Sequence, residues 1–95
     1  MKAYKHLVKF ALHCEYPVSV WDGEEWQVKR STKYQDIIDA IESVEEANLV
    51  FRTDKGEKIG WALVIPFGLE DDETVADYSM TCFMEDWEKA YKAAV

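Results

Sequence analysis

Over the first fourteen positions, Tyr4, Leu7, Val8, Ala11 and Leu12 fall at i, i+3, i+4, i+7 and i+8, with Lys2, Lys5 and Lys9 mostly opposite. This spacing predicts a helix over residues 4–14, ended by Pro17. The competing reading is a strand with Tyr4, Val8, Phe10 and Leu12 on one face, but the Ala, Leu and Lys content favours the helix. The period then switches to two. Val18 and Val20 alternate with Ser19 and Trp21, Asp22-Gly23-Glu24 makes a turn, and Trp26 and Val28 alternate with Gln27 and Lys29. A two-residue Asp-Gly turn would set Val18 and Val20 against Gln27 and Glu25. A three-residue loop sets Val20 opposite Trp26 and Val18 opposite Val28, which keeps the apolar set on one face, so this register is expected.

Thr32 followed by Gln35 has the form of a capping box. Tyr34, Ile37, Ile38, Ile41 and Val44 then mark the inner face of a second helix reaching to about Ala47. Leu49 and Phe51 alternate with Val50 and Arg52, Asp54-Lys55-Gly56 turns the chain, and Ile59, Trp61, Leu63 and Ile65 follow as a second hairpin. A three-residue loop here puts Phe51 opposite Ile59 and Leu49 opposite Trp61. The other side of that last strand, Gly60, Ala62 and Val64, is small and also apolar, which suits a central strand. Residues 66–78 read as an irregular acidic loop, and a third helix starts near Met80 with Phe83, Trp87, Ala90, Tyr91 and Ala94 at helical spacing. The predicted fold is a single α+β domain over residues 1–95. Its mainly antiparallel four-stranded sheet is made of two hairpins, with three helices in the order α-ββ-α-ββ-α.

Ninety-five residues, 48% apolar, allow one core and no second lobe. No uninterrupted apolar stretch suggests a signal peptide, and the longest apolar run, Trp61 to Phe67, is far short of a membrane span. A soluble, cytoplasmic protein with two reduced thiols, Cys14 and Cys82, is expected. The formal charge is -8, which disfavours direct binding to nucleic acid or to an anionic membrane. That charge is uneven. Residues 1–35 carry six Lys and Arg against four Asp and Glu, whereas residues 36–95 carry five against fifteen. Two stretches hold no base: Asp36, Asp39, Glu42, Glu45 and Glu46 on the second helix, and Glu70, Asp71, Asp72, Glu73 and Asp77 in the loop. At about 100° per residue, Asp39, Glu42 and Glu46 fall within about 60° of arc. Carboxylates one helical turn apart, roughly 5 to 6 Å, approach the phosphate repeat of a nucleic-acid strand, so such a face suits a basic nucleic-acid-binding site. The plain alternative is a solvated face that keeps a small protein soluble. In the third helix, Glu85 with Lys89 and Glu88 with Lys92 form i, i+4 pairs that neutralise the surface locally.

Chemistry-bearing motifs are sparse. His13 and Cys14 are adjacent and diverge by about 100° on a helix, so they cannot act as a base and nucleophile pair. Lone His6 reads as a satisfied surface or core residue, and Cys82 as a small core residue between Met80, Phe83 and Met84. The run Glu70-Asp71-Asp72-Glu73 lacks the alternation, central Gly and terminal Glu of an EF-hand, so no metal is assigned. There is no phosphate-binding loop, dinucleotide fingerprint, zinc spacing or nucleophile elbow, so no cofactor and no catalytic residue is assigned and an enzyme is not expected. In these registers Trp26, Trp61 and Trp87 take core positions. Trp21 falls on the polar face beside a turn, where it either anchors an interface or is covered by a helix.

Two segments carry a resemblance. Val18-Ser19-Val20-Trp21-Asp22-Gly23-Glu24-Glu25-Trp26 running to Arg30-Ser31-Thr32, and Gly60-Trp61-Ala62-Leu63-Val64-Ile65-Pro66 with Glu73-Thr74-Val75-Ala76-Asp77-Tyr78-Ser79, resemble parts of small uncharacterised proteins of tailed phages and prophages. Together they cover under half the chain and transfer no site residue. The resemblance implies an early accessory factor that binds a host protein in the host cytoplasm. The expected partner is then a basic host protein, such as a nucleic-acid-binding one, met by Asp36, Asp39, Glu42, Glu46, Glu70, Asp71, Asp72, Glu73 and Trp21. The alternative is a structural or oligomeric accessory protein, a homodimer whose acids only confer solubility.

Overall fold

A computed structural model describes residues 2–68 and 70–94. Three helices, α1 (Ala3–His13), α2 (Tyr34–Glu42) and α3 (Cys82–Ala94), lie on one face of an antiparallel sheet. The sheet has five strands, not four: β1 (Val18–Trp21), β2 (Trp26–Ser31), β3 (Ala47–Arg52), β4 (Lys58–Val64) and β5 (Val75–Tyr78), in spatial order β2-β1-β3-β4-β5. The fifth strand comes from the segment expected to be an irregular acidic loop. A short 3₁₀ turn at Asp71–Thr74 leads into it, and its far end is closed by the Ser79 N–H donating to the Trp61 carbonyl at 2.9 Å and the Trp61 N–H donating to Ser79 Oγ at 3.0 Å. A four-residue strand whose core-facing residues, Val75 and Tyr78, stand three apart across a register shift has too little period-two signal to stand out among Glu70–Glu73 and Asp77.

The first helix forms as its spacing predicts, burying Ala3, Tyr4, Leu7, Val8 and Ala11. Its start is held from a distance. The Tyr4 N–H, a first-turn donor with no partner inside the helix, donates to Thr74 Oγ1 at 3.3 Å, and the buried Thr74 hydroxyl donates to the Asp71 carbonyl at 2.8 Å. The second helix is shorter than predicted. Its N-cap is Lys33 rather than Thr32, no side chain caps it, and it stops at Glu42, so Val44 to Glu46 are loop and Ala47 opens β3. Ile37, Ile38 and Ile41 nonetheless face inward as expected.

Both hairpin registers differ from expectation. In the first, Asp22 Oδ1 accepts the N–H of Glu24 at 2.8 Å and of Glu25 at 2.7 Å, which builds a four-residue connection over 22–25. Trp21 therefore pairs with Trp26, Val20 with Val28 and Val18 with Ser31. In the second hairpin Phe51 faces Gly60, Leu49 faces Ala62 and Val50 faces Trp61. This one-residue shift turns β4 over. Gly60, Ala62 and Val64 lie under the helices, and Trp61 and Leu63 point to the other face. Small residues win the inner face because α3 lies close against it: a Cβ on Gly60 would stand 3.2 Å from Met84 Cγ and from Phe83 Cδ2.

Candidate functional site

All the helices lie on one side of the sheet, so among the described residues no element covers the opposite face. The strand register sets out its rows. At one end stand Trp26, Trp21, Asn48 and Leu63; across the middle run Ser19, Val50 and Trp61; at the other end Arg52 pairs with Lys58. Trp26 and Trp61, read from the sequence as core, thus belong to the open face, whereas Trp87 is the buried tryptophan at 3% exposure. Trp21 and Trp26 meet edge to face with centroids 5.0 Å apart. Trp61 Nε1–H donates to Asn48 Oδ1 at 3.3 Å, and Asn48 Nδ2 donates to the Trp21 carbonyl at 3.4 Å, so one amide fixes two of the three tryptophan positions. With Val50 they line a shallow cleft of about 390 Å³.

Between Val28 and Ser31, β2 carries two residues, Lys29 and Arg30, opposite the single Ser19 of β1. The bulge places Arg30 at φ +47°, and its N–H donates to Ser19 Oγ at 2.9 Å. Lys29, Arg30, Arg52, Ser19 and Trp26 enclose a pit of about 150 Å³ that shares Trp26 with the cleft. Sequence reading missed this cationic group because its members sit on separate strands and are joined only by the pairing.

The acids are gathered by topology too. In this antiparallel order the β1–β2 turn, the α2–β3 loop and the β4–β5 connection all emerge at the same end of the sheet. They bring Asp22, Glu24 and Glu25, then Glu42, Glu45 and Glu46, then Glu70 to Glu73 to one end of the molecule, which is ten of the 19 carboxylates. From α1, Lys2 and Lys5 reach the same end: Lys2 Nζ donates to the Pro66 carbonyl at 3.1 Å and Lys5 stands 3.9 Å from Glu42. Asp22, Glu24, Val44, Glu45 and Glu46 border one depression of about 410 Å³. Backbone N–H groups of Glu25 and Glu24 hold the Asp22 carboxyl below the usual carboxylate range. Burial, then the charges of Asp72 and Asp71, push the Tyr91 hydroxyl up.

The residues singled out from the sequence do not form one helical stripe. Asp36 and Asp39 are exposed on α2, and Gln35 Nε2 donates to Asp39 Oδ1 at 2.8 Å. Glu42 accepts a bond from the Tyr4 hydroxyl, and Glu46 is past the helix end, so the expected arc of Asp39, Glu42 and Glu46 does not exist. Exposed Glu70 to Glu73 join Glu45 and Glu46 at the acidic end, with Trp21 at its border. Asp22, Glu24 and Glu25 were missed because they lie in the third of the chain with a positive balance. Cys82 is not a core residue: it and Cys14 are exposed free thiols, and both border a cleft floored by Phe10, Tyr16 and Phe83. Of the two expected ion pairs on α3, the described contacts include Glu88 with Lys92 at 2.6 Å. Lys92, and then a bond from the Tyr78 hydroxyl, hold Glu88 below its ordinary range, and that bond pushes Tyr78 up to about 12. Among the described residues no three His, Cys, Asp or Glu side chains are grouped to hold a metal, and no helix is long and apolar enough to cross a membrane.

The class these features define is a two-layer α+β domain with an uncovered, tryptophan-bearing sheet face. No protein-family model matches the chain, and comparison with curated proteins and with solved structures gives no significant match.

Proposed function

We propose that the protein is a small non-catalytic binding module that engages a basic protein through its acidic end, with Trp21 and Trp26 as apolar anchors at the border of that end. In the phage context implied by the two resembling segments, the partner is a basic host protein. The observation that carries this reading is the convergence of three connections, remote in sequence, that set ten carboxylates against Lys2 and Lys5 beside a tryptophan pair of which Trp26 is exposed and Trp21 half-buried. Opposite charge steers encounter, and a desolvated aromatic pair supplies the anchor that charge alone does not. Phe67, 65% exposed in the β4–β5 connection, adds apolar surface at the same end.

The test is capture from a bacterial lysate at two salt concentrations, comparing the native chain with Glu24→Lys/Glu25→Lys, Glu45→Lys/Glu46→Lys and Asp36→Lys/Asp39→Lys variants. Capture that disappears in the first two, survives in the third and weakens with salt supports the acidic end. Capture unchanged by the first two at low salt overturns it.

A homodimer is the second reading, and the exposed tryptophan face favours it over edge pairing. One edge strand, β2, is interrupted by two bulges and the other, β5, spans four residues, so neither edge offers a regular ladder. A sedimentation coefficient that corresponds to the monomer at every concentration excludes this reading.

A further inference from the structure

Two guanidinium groups converge on one glycine. Arg52 Nη1 donates to the Gly56 carbonyl at 2.9 Å, and the Arg30 guanidinium lies so near that a Cβ on Gly56 would stand 3.4 Å from its Nη2. Two unusual backbone conformations build this approach: Arg30 in the bulge at φ +47° and Gly56 in the β3–β4 turn at φ +89°. Lys29, the other bulge residue, adds a third cation to the same pit. The chain has 19 acids for 11 bases, yet among the described residues none of these three cations stands within salt-bridge distance of a carboxylate. Like charges held together without a counter-charge are satisfied by an anion from outside, and paired guanidinium forks suit the several oxygens of a phosphate. Ser19 Oγ already accepts the Arg30 N–H, which leaves its own hydrogen to donate into the pit.

The wall of the pit continues into the aromatic cleft. Trp26 belongs to both, and beyond it lie Trp21, Trp61 and the Asn48 amide. The cleft volume of about 390 Å³ is within the range of roughly 300 to 1,000 Å³ usual for small-molecule sites. A ligand that fills both spaces needs an anionic head attached to a flat ring.

We propose that the open face binds a free nucleotide, with its phosphate held by Lys29, Arg30 and Arg52 and its base stacked on Trp26 in the tryptophan cleft. Stacking on tryptophan is available to every base, so selectivity among bases is weak. A free nucleotide fits better than a strand, because the acidic end repels a polyanion extended along the face. The phosphate pit lies away from the acidic carboxylates, toward the Arg52 end of the face, while the base shares Trp26 with the proposed protein contact, and a small-molecule ligand goes beyond the protein-binding reading.

The experiment titrates the full chain with 5′-AMP, adenosine, inorganic phosphate, phenyl phosphate and a ten-residue oligothymidylate, read by tryptophan fluorescence and by amide and indole chemical shifts. AMP is expected to saturate with shifts at Ser19, Arg30 and the Trp26 indole, at a midpoint at least about tenfold below those of adenosine and phosphate. Arg52→Gln and Lys29→Gln each weaken it by about tenfold, with unchanged far-UV circular dichroism showing that the variants remain folded. Absence of saturation at millimolar AMP overturns the proposal, as does binding that neither substitution changes. AMP no tighter than adenosine overturns the phosphate role. Phenyl phosphate equal to AMP replaces the nucleotide with a phosphotyrosine-like ligand, and an oligothymidylate that binds far more tightly replaces it with a single strand.

Discussion

The indole N–H of Trp87 donates to Nδ1 of His6 at 3.2 Å, joining α3 to α1 across 81 residues. Indole only donates, so Nδ1 must be the unprotonated nitrogen and the neutral ring carries its hydrogen on Nε2. Tyr91 packs edge-on against the same imidazole with centroids 5.2 Å apart. Burial pushes the His6 pKa below its ordinary value of about 6.5.

A pH dependence follows from that depressed value. Above pH about 6.5 His6 is neutral in both states and the contact stabilises the fold fully. As the pH falls below this value the unfolded chain takes up a proton that the folded chain refuses, so stability declines until the folded pKa is passed. Urea midpoints are expected to drop between pH 7.5 and 5. His6→Asn, whose side-chain oxygen still accepts from the indole, should flatten this drop, and an unchanged slope contradicts the assignment.

Gly60 sets how closely α3 approaches the sheet. An alanine there meets Met84 Cγ and Phe83 Cδ2 at 3.2 Å, which a flexible methionine absorbs, so Gly60→Ala should change stability by no more than about 1 kcal/mol. Gly60→Val has no such outlet and should cost about 1–3 kcal/mol in denaturant unfolding. Equal costs for the two variants would show that α3 is not held by this contact.

Two of the four tryptophans, Trp87 and Trp26, should separate by stability. Trp87 is 3% exposed and stacks on Tyr91, so Trp87→Ala should cost about 3–5 kcal/mol. Trp26 is 38% exposed on the open face, and Trp26→Ala should cost about 1 kcal/mol, mainly the edge-to-face contact with Trp21. Thermal unfolding of the two variants distinguishes the open-face register from the one read off the alternation, which makes Trp26 a core residue.

Cys14 and Cys82 are both exposed, so both should react with an aromatic disulfide reagent in the folded protein as fast as in denaturant. A single fast thiol would mean that Cys82 is buried, as the sequence alone suggests.

The apolar spacing by itself determined α1, the inner face of α2, the position of α3, and the existence of four strands. Those elements each bury enough side chain for their period to show within a dozen residues, as Leu7, Val8 and Ala11 do in α1. The same spacing determined that Trp21 lies on the outer face. Only the tertiary structure decided which side of β4 is core. Gly60, Ala62 and Val64 read as the weaker face until α3 is laid against them, and close approach then favours the smaller residues. Thr74 as the partner for the start of α1, and β5 beside β4, depend on contacts made across the chain, and no local pattern announces them. Charge followed the same rule. Its amount is a property of the composition, but the gathering of acids at one end and of Lys29, Arg30 and Arg52 toward the other arises from strand order and a bulge, because antiparallel pairing places distant loops together.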